Sequence, residues 1–409
     1  MQLIEFGSIM NMAKGKKPVN QSPEKRDGFL PYVDIKAFET NTVDNYTDGV
    51  KCLPCEEGDI LIVCDGSRSG LVGKAINGYV GSTLAKITAD GMTQNYLYYF
   101  LQGKYALLNT KKKGTGTPHL NPDLLKKQML IVPSIPEQKR IVTHIEELFS
   151  ELDKAVETLQ TTKQQLAVYR QAVLQDAFAG KFTQAFRSVS NPEIREKLQW
   201  ASEVATDALP NIPNSWKYVA LSQLGDLGRG KSKHRPRNDA KLFEDGKYPF
   251  LQTSEVKAAT KYITEYKKMY GEFGLSQSKL WPKGTLCITI AANIAETAFL
   301  GIDACFPDSV VGFTPYDVVL PEYIKYFIES QKLRLWAFAP ATAQKNINLD
   351  TLENLIVPYC AIEEQQELIN QIESRLTTFE HIEQTVDTAL AQADSMRQSI
   401  LKQAFEGGF

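Results

Sequence analysis

No stretch of this chain comes near the roughly 20 consecutive apolar residues that a membrane-spanning helix needs. The most apolar segment, 288–306, is broken by Asn293, Glu296 and Asp303, which argues against a helical membrane protein. The opening MQLIEFGSIMNMAKGKK has no basic leader followed by an apolar run and a small-residue cleavage site, so a cytoplasmic protein is expected. Cysteine is scarce: six are scattered over 409 residues. Cys52 and Cys55 form a C-x-x-C pair. A structural zinc site takes four ligands, however, and neither a second pair nor a nearby histidine completes one, so reduced thiols and no metal are expected. The four histidines, His119, His144, His234 and His381, lack metal-ligand spacing.

Catalytic signatures are equally sparse. GDLGRGKS (225–232) satisfies the phosphate-loop pattern, but that loop needs an apolar strand before it and a helix from the lysine onward. KYVALSQL precedes it, and Pro236 follows five residues after Lys231 and blocks such a helix. DGSRSG (65–70) puts Arg68 where a nucleophile elbow requires serine. Asp245, Glu255 and Lys257, or Asp27, Asp34 and Lys36, match a metal-dependent nuclease set only at loose spacing. No methyl-donor glycine motif or Asn-Pro-Pro-Tyr type tetrapeptide is found. The expectation is a non-catalytic chain.

Charge is nearly balanced overall at −2, yet unevenly spread. Residues 1–136 hold 16 Lys/Arg against 13 Asp/Glu, and residues 209–361 hold 18 against 15. The remainder carries 12 against 20, so two mildly basic globular segments alternate with acidic ones.

What the chain has is a repeat, the feature to establish before others. IPEQKRIVTHI (135–145) answers IEEQQELINQI (362–372) at an offset of 227. YRQAVLQDAFAGKF (169–182) answers MRQSILKQAFEGGF (396–409) at the same offset, and LIVPS (130–134) matches LIVPY (355–359). At the starts, LIEFGSIMNMAKGKKP (3–18) lies over LSQLGDLGRGKSKHRP (221–236) at an offset of 218, which sets Met12, Ala13 and Lys14 under Gly230, Lys231 and Ser232.

Each copy ends in a segment with four-three apolar spacing, the rhythm of a coiled coil. The first stripe is Ile141, Ile145, Leu148, Leu152, Ala155, Leu159, Thr162, Leu166, Tyr169 and Val173. The second is Leu368, Ile372, Arg375, Phe379, Ile382, Val386, Ala389, Ala393, Met396 and Ile400, broken only at Arg375. Each stripe must be buried, and each copy offers the other a matching one. Short apolar runs such as GDILIVCDG and GTLCITIAA, with amphipathic helical segments at 95–109 and 321–338, make the globular parts mixed α/β. The expected architecture is an α+β, or mixed, fold. Two α/β recognition domains are separated by an antiparallel pair of long coiled-coil helices, with an internal pseudo-two-fold repeat. The expected boundaries are 1–136, 137–182, 183–208 (a linker), 209–361 and 362–409.

Basic and polar clusters recur in matching turns. Lys14, Lys16 and Lys17 stand against Arg229, Lys231, Lys233, His234, Arg235 and Arg237, and NTKKKGTGTPHLN (109–121) against APATAQKNINL (339–349). Phosphate contacts need Lys and Arg, while base edges are read by Arg, Asn, Gln, Ser, Thr or His. A duplicated reader on a rigid helical spacer suits a DNA site in two parts, because half-site spacing mirrors protein geometry. The alternatives are a nuclease or ATPase acting on DNA, with metal- or nucleotide-dependent activity, and a coiled-coil scaffold that binds no DNA.

The sequence LPNIPNSWKYVALSQLGD (209–226), the PEQKRI and EEQQEL segments and the R-Q-x-x-L-x-x-A-F-x-G helix ends resemble the specificity (S) subunits of type I restriction–modification enzymes. So does GIDACFPDSVVGFTP (301–315). The resemblance covers essentially the whole chain. It implies a subunit without catalysis of its own, whose two target-recognition domains each read one half of an asymmetric, bipartite double-stranded DNA site. Its helical regions would set the half-site separation and dock two methyltransferase (M) subunits, which two restriction (R) subunits can join. S-adenosylmethionine, ATP and Mg would then belong to those partners, with no cofactor or metal in this chain. For DNA binding the nominated residues are Lys16, Lys17, Arg68, Lys112, Thr115 and His119 in the first domain. Lys231, Lys233, Arg235, Arg237, Lys345 and Asn346 are nominated in the second. For partner docking they are Arg170, Phe178, Arg397 and Phe405. One departure from the family pattern is that the first copy begins level with Leu221 and lacks the proline-and-tryptophan lead-in of 209–216, which makes its stability the expected weak point.

Overall fold

The computed structural model of the chain describes residues 3–110, 118–201, 209–338 and 346–406. It divides into two compact units, Met1–Thr161 with Val386–Phe409, and Thr162–Thr385.

The first unit is built around Ile60–Val63, four β-branched or leucine residues buried on both faces. Ile60 and Ile62 pack with Phe6, Leu97 and Phe100 on one side, and Leu61 and Val63 with Val33, Ala37 and Val80 on the other. This is the two-residue alternation of a strand sandwiched in a core, each fully buried side chain contributing roughly 1.5–3 kcal/mol. The strand sits in an antiparallel sheet ordered Met10–Lys14, Leu84–Ala89, Ile60–Val63, Val72–Lys74. Helix Gln94–Gln102 covers one face, its first turn capped by Thr93. A second sheet contains Leu30–Val33 parallel to Gly78–Val80.

The second unit repeats this plan. Its main sheet runs Gly225–Arg229, Val310–Pro315, Leu286–Thr289, Thr297–Leu300, with Tyr262–Ile263 added in parallel at the edge. Leu286 and Ile288 face the core beneath helix Pro321–Ser330, and Cys287 faces the opposite one.

Hydrogen bonds fix the correspondence of the two starts. Leu3–Glu5 pairs with Met129–Ile131 as Lys217–Ala220 pairs with Ile356–Tyr359. The Gly15 N–H donates to Leu84 O as the Gly230 N–H donates to Val310 O, both at 2.9 Å. The offset at the starts is therefore 215, not 218. Gly15, Lys16 and Lys17 stand where Gly230, Lys231 and Ser232 stand, and the first copy does possess the strand that Trp216 introduces in the second. The sequence alignment slipped because leucines and glycines recur three apart there, whereas ladder register permits one solution.

Each long segment is a single helix of 44 residues, Ile135–Phe178 and Ile362–Phe405, about 66 Å at 1.5 Å per residue. Neither has a glycine, and the only proline, Pro136, lies in a first turn where it costs no hydrogen bond. Gly180, at φ +73°, ends the first with the 2.9 Å bond of its N–H to Ala177 O. The buried stripes depart from strict heptads. Ala155, Tyr169, Ile382 and Met396 are exposed, while Val156, Arg170 and Arg397 are half-buried and Leu376 is buried beside Arg375. A nearly straight helix has 3.6 residues per turn, so a 3.5-residue stripe drifts about 20° per heptad and the buried face passes to a neighbour.

The helices run antiparallel where they meet within each unit. Ile141 and Ile145 share a cluster with Leu401 and Ala404 in the first unit, and Leu174 and Ala177 with Leu368 and Ile372 in the second. The end of each helix is thereby built into the globular part of the other copy. Phe405 lies 5.0 Å from Tyr96 and 5.5 Å from Phe100, and Phe178 lies 5.1 Å from Tyr323 and 5.3 Å from Phe327.

Candidate nucleic-acid interface

GDLGRGKS is not a loop around phosphate. Its first five residues are the strand Gly225–Arg229, in register with Val310–Pro315. Its glycines admit close neighbours: a Cβ on Gly228 would meet the Trp281 ring at 2.6 Å, and one on Gly230 would meet Pro307 O at 2.3 Å. Gly15 repeats the second contact, 2.2 Å from Gly81 O. The tight crossing of backbone presents the following residue, Lys16 or Lys231, at the surface. Lys16, Lys17, Lys231 and Lys233 are exposed and make no side-chain hydrogen bond or ion pair among the described residues.

Beside this turn, the first unit assembles a polar cluster. Asp65 follows directly on Ile60–Val63 and Cys64, and Lys14 ends Met10–Lys14. Lys14 Nζ lies 2.8 Å from Asp65 Oδ2, and His119 Nδ1 lies 2.8 Å from Asp65 Oδ1. Partial burial raises the Asp65 carboxyl, but the hydrogen bonds from Lys14 and His119 outweigh it and hold the group below the usual aspartate range. Lys14 is shifted upward, first by its bond to Asp65. Backbone fixes the geometry: Asp65 and His119 form an isolated bridge, Leu120 N–H donates to Cys64 O at 2.7 Å, and Gly66 N–H to Pro118 O at 2.8 Å. Ser69 Oγ donates to Gly66 O, and Asn109 Nδ2 to Ser67 O and Ser69 O. Both flanks of 111–117 are thus pinned to the Asp65 turn.

In the second unit Ala291 and Asn346 form the same bridge, and Ile347 N–H donates to Ile290 O at 2.9 Å. Arg229 takes the place of Lys14 and donates from Nε to Asp308 O. Arg237 holds the Asp308 carboxylate at 2.9 and 3.1 Å, and Arg235 folds back onto Ser232 O and His234 O. His234 Nε2 is 2.7 Å from Asp239. Arg68 pairs with Glu39. Lys112, Thr115 and Lys345 lie outside the described residues. Sequence reasoning did not assign Asp65 or Asp308 to this surface, because carboxylates are not sought where phosphate is expected. Asp65 in DGSRSG, one residue past an apolar strand, was the available signal.

One carboxylate in each set of the nuclease alternative is engaged in capping a helix. Asp34 caps Ile35–Thr40, and Glu255, buried, accepts from Gln252 N–H and Ser254 Oγ in the first turn of its helix. Burial pushes the Cys55 thiol up to about 12, away from thiolate chemistry. No cluster of three potential metal ligands occurs among the described residues, and none of the described helices is long and apolar enough to cross a membrane.

Of the docking nominees, packing within the chain buries the Phe178 ring, 5% exposed, and covers part of the Phe405 ring, which stays half-buried. Each phenylalanine serves as an apolar anchor of its helix end within its own unit. Arg170 reaches Glu329 at 3.9 Å, and Arg397 pairs with Asp153 above the Phe149 ring. The two arginines stay partly exposed.

Comparison with known proteins gives this arrangement its class. The type I restriction modification DNA specificity domain matches residues 1–166 and 213–391. The chain belongs to that family and is a DNA sequence-specificity subunit of the type I restriction–modification kind. It is 23% identical to the EcoBI specificity subunit of Escherichia coli, across 99% of this chain and 85% of that one. To the Escherichia coli EcoDI specificity subunit it is 22% identical, across 99% and 87%. A chain of a type I R-M system solved to describe complex assembly and conformational transition shares the fold, with TM-score 0.72 at 16% identity, covering 100% of this chain and 98% of that one. The HsdS subunit from Thermoanaerobacter tengcongensis follows, with TM-score 0.52 at 15% identity, covering 100% and 97%.

Proposed function

We propose that each globular part, 1–136 and 209–361, reads one half of a bipartite, asymmetric double-stranded DNA site, while the helical regions 137–182 and 362–409 set the separation of the halves. The observation that carries this is the repeated glycine-lysine turn: an exposed lysine whose side chain has no partner among the described residues follows the same close-packed glycine at Lys16 and Lys231. Lysines so placed suit phosphate, which positions a reader without specifying sequence. The chain itself is non-catalytic and works in the cytoplasm. It docks two methyltransferase subunits near Arg170 and Arg397, and two restriction subunits join them. S-adenosylmethionine, ATP and Mg are bound by those partners.

The test is the salt dependence of DNA binding by the assembled methyltransferase complex. Replacing Lys16, Lys17, Lys231 and Lys233 by Gln should weaken binding to all sequences, and it should flatten the slope of log K against log salt by about 0.9 per lost phosphate contact. Unchanged affinity and slope would remove these lysines from the interface.

A further inference from the structure

Three side-chain positions are made equivalent in the two units by backbone bonds alone, yet they carry different chemistry. The first is the last residue of its strand, Met10–Lys14 or Gly225–Arg229, one before the close-packed glycine: Lys14 or Arg229. The second closes the central strand: Asp65 or Ala291. The third bridges to it: His119 or Asn346. The turn after the central strand returns to the ladder in both units, Gly70 N–H donating to Val63 O and Ala295 N–H to Thr289 O, but it is one residue shorter in the second; φ is positive at Gly66 (+104°) and Gly70 (+93°), and at Ala292 (+64°) and Ala295 (+62°). Alanine tolerates that region poorly, so the second unit holds its shorter turn at a cost in strain, a pattern found at functional sites.

We propose that these three positions are the specificity-determining positions of the two units, set beside the phosphate-binding lysines and reading different base edges. The assignment rests on the DNA-reading function proposed above.

The chemistry of each set points to a class of base. In the first unit the Asp65 carboxylate is an acceptor that phosphate would repel, and Lys14 and His119 offset its charge. A carboxylate on a DNA-facing surface matches an exocyclic amine, the donor that cytosine or adenine shows in the major groove. In the second unit the Asn346 side chain, exposed and without a hydrogen bond among the described residues, offers one donor and one acceptor, the pair that meets adenine N6 and N7. Ala291, in place of the aspartate, offers a methyl group that suits the thymine methyl. The half-site of the first unit is therefore expected to contain a cytosine or adenine opposite Asp65, and that of the second an A·T pair opposite Asn346.

Selection from randomised duplex DNA by the assembled methyltransferase complex tests this. Asp65→Ala and His119→Asn together should change the base preference at one or two positions of one half-site, roughly ten- to a hundredfold each, and leave the other half as it was. Ala291→Asp with Asn346→His should do the converse, so the proposal stays testable if one pair of substitutions fails to fold. An unchanged motif in folded variants overturns the assignment. So does a uniform loss of affinity without a change of base. If the wild-type complex selects no motif at all, the specificity function itself fails and takes this assignment with it.

Discussion

The glutamine shared by PEQKR and EEQQE is expected to hold each long helix to its recognition fold, and its removal can be worked out in advance. Gln138 and Gln365 are both fully buried. Gln138 Oε1 accepts from Thr93 N–H at 2.8 Å, while its Nε2 donates to Gly91 O at 2.6 Å and Pro133 O at 3.0 Å. Gln365 Oε1 accepts from Leu320 N–H at 3.0 Å and its Nε2 donates to Cys360 O at 2.9 Å. One amide thus joins the residue that caps the covering helix to the chain entering the long one. Gln138→Ala leaves the Thr93 N–H and two carbonyls without partners. An orphaned buried group costs about 1–3 kcal/mol, and the lost side-chain volume adds about 1, so the expected loss is about 2–4 kcal/mol. At about 2–4 °C per kcal/mol for a unit of this size, Tm should fall by roughly 4–16 °C.

Gln138→Glu is the sharper variant. It keeps shape and acceptor but sets a carboxylate oxygen against the Gly91 and Pro133 carbonyls. At neutral pH it should destabilise at least as much as alanine, measured by urea denaturation of the full chain. A Gln138→Glu protein within about 0.5 kcal/mol of wild type would refute the reasoning, because shape alone would then suffice. Gln138 and Gln365 share no partner, so their effects should add.

Arg187 meets Glu364 at 2.7 Å, and Glu364 is 1% exposed with Thr183 as its other partner. Arg187→Ala strands a buried carboxylate and should cost about 3–5 kcal/mol, a loss that adding Glu364→Gln should partly restore in the same urea titration. Phe178→Ala should cost about 3–5 kcal/mol and Phe405→Ala, half-buried, less, with hydrogen exchange rising in Pro321–Ser330 for the first and in Gln94–Gln102 for the second. Exchange rising in the opposite helix would refute that pairing. The depressed Asp65 carboxyl stabilises the fold above the unfolded aspartate range, near pH 4, and loses that contribution as pH falls through its lower folded value. The stability difference between wild type and Asp65→Asn should therefore shrink from pH 7 to pH 3, and an equal difference at both would remove the ion pair as its cause.

The long helices were legible because heptad spacing without glycine admits few other structures. Their exact seam was not, since whether Tyr169 or Arg170 is covered depends on a drift of tens of degrees that residue types do not encode. The repeat told where elements recur, but it assigned no partner to Gln138 or Gln365. Only folding brings Thr93 and Leu320, about 45 residues earlier, to them. Lys16 and Lys231 stood out as charge in matching turns, although their equivalence waited on the Gly15 and Gly230 hydrogen bonds. Asp65 with Lys14 and His119 spans more than 100 residues, and no local pattern foretells such a meeting.

That division has a physical cause with a consequence for function. Ile60–Val63, and Leu286, Cys287 and Ile288, are held to apolar residues by both cores, and Gly15 and Gly230 to glycine by backbone 2.2–2.3 Å from any Cβ. The bridge between Asp65 and His119, or Ala291 and Asn346, is made by backbone and asks nothing of the side chains. Carboxylate can therefore become methyl there, and imidazole amide, while every ladder bond around them remains. A fold that concentrates its requirements in the sheet and leaves the neighbouring surface positions free can carry two unlike readers in one chain. Two like readers would tie the protein to a symmetric site. On the assignment proposed above, the difference between Asp65–His119 and Ala291–Asn346 makes the two readers unlike, and an asymmetric target would follow from it.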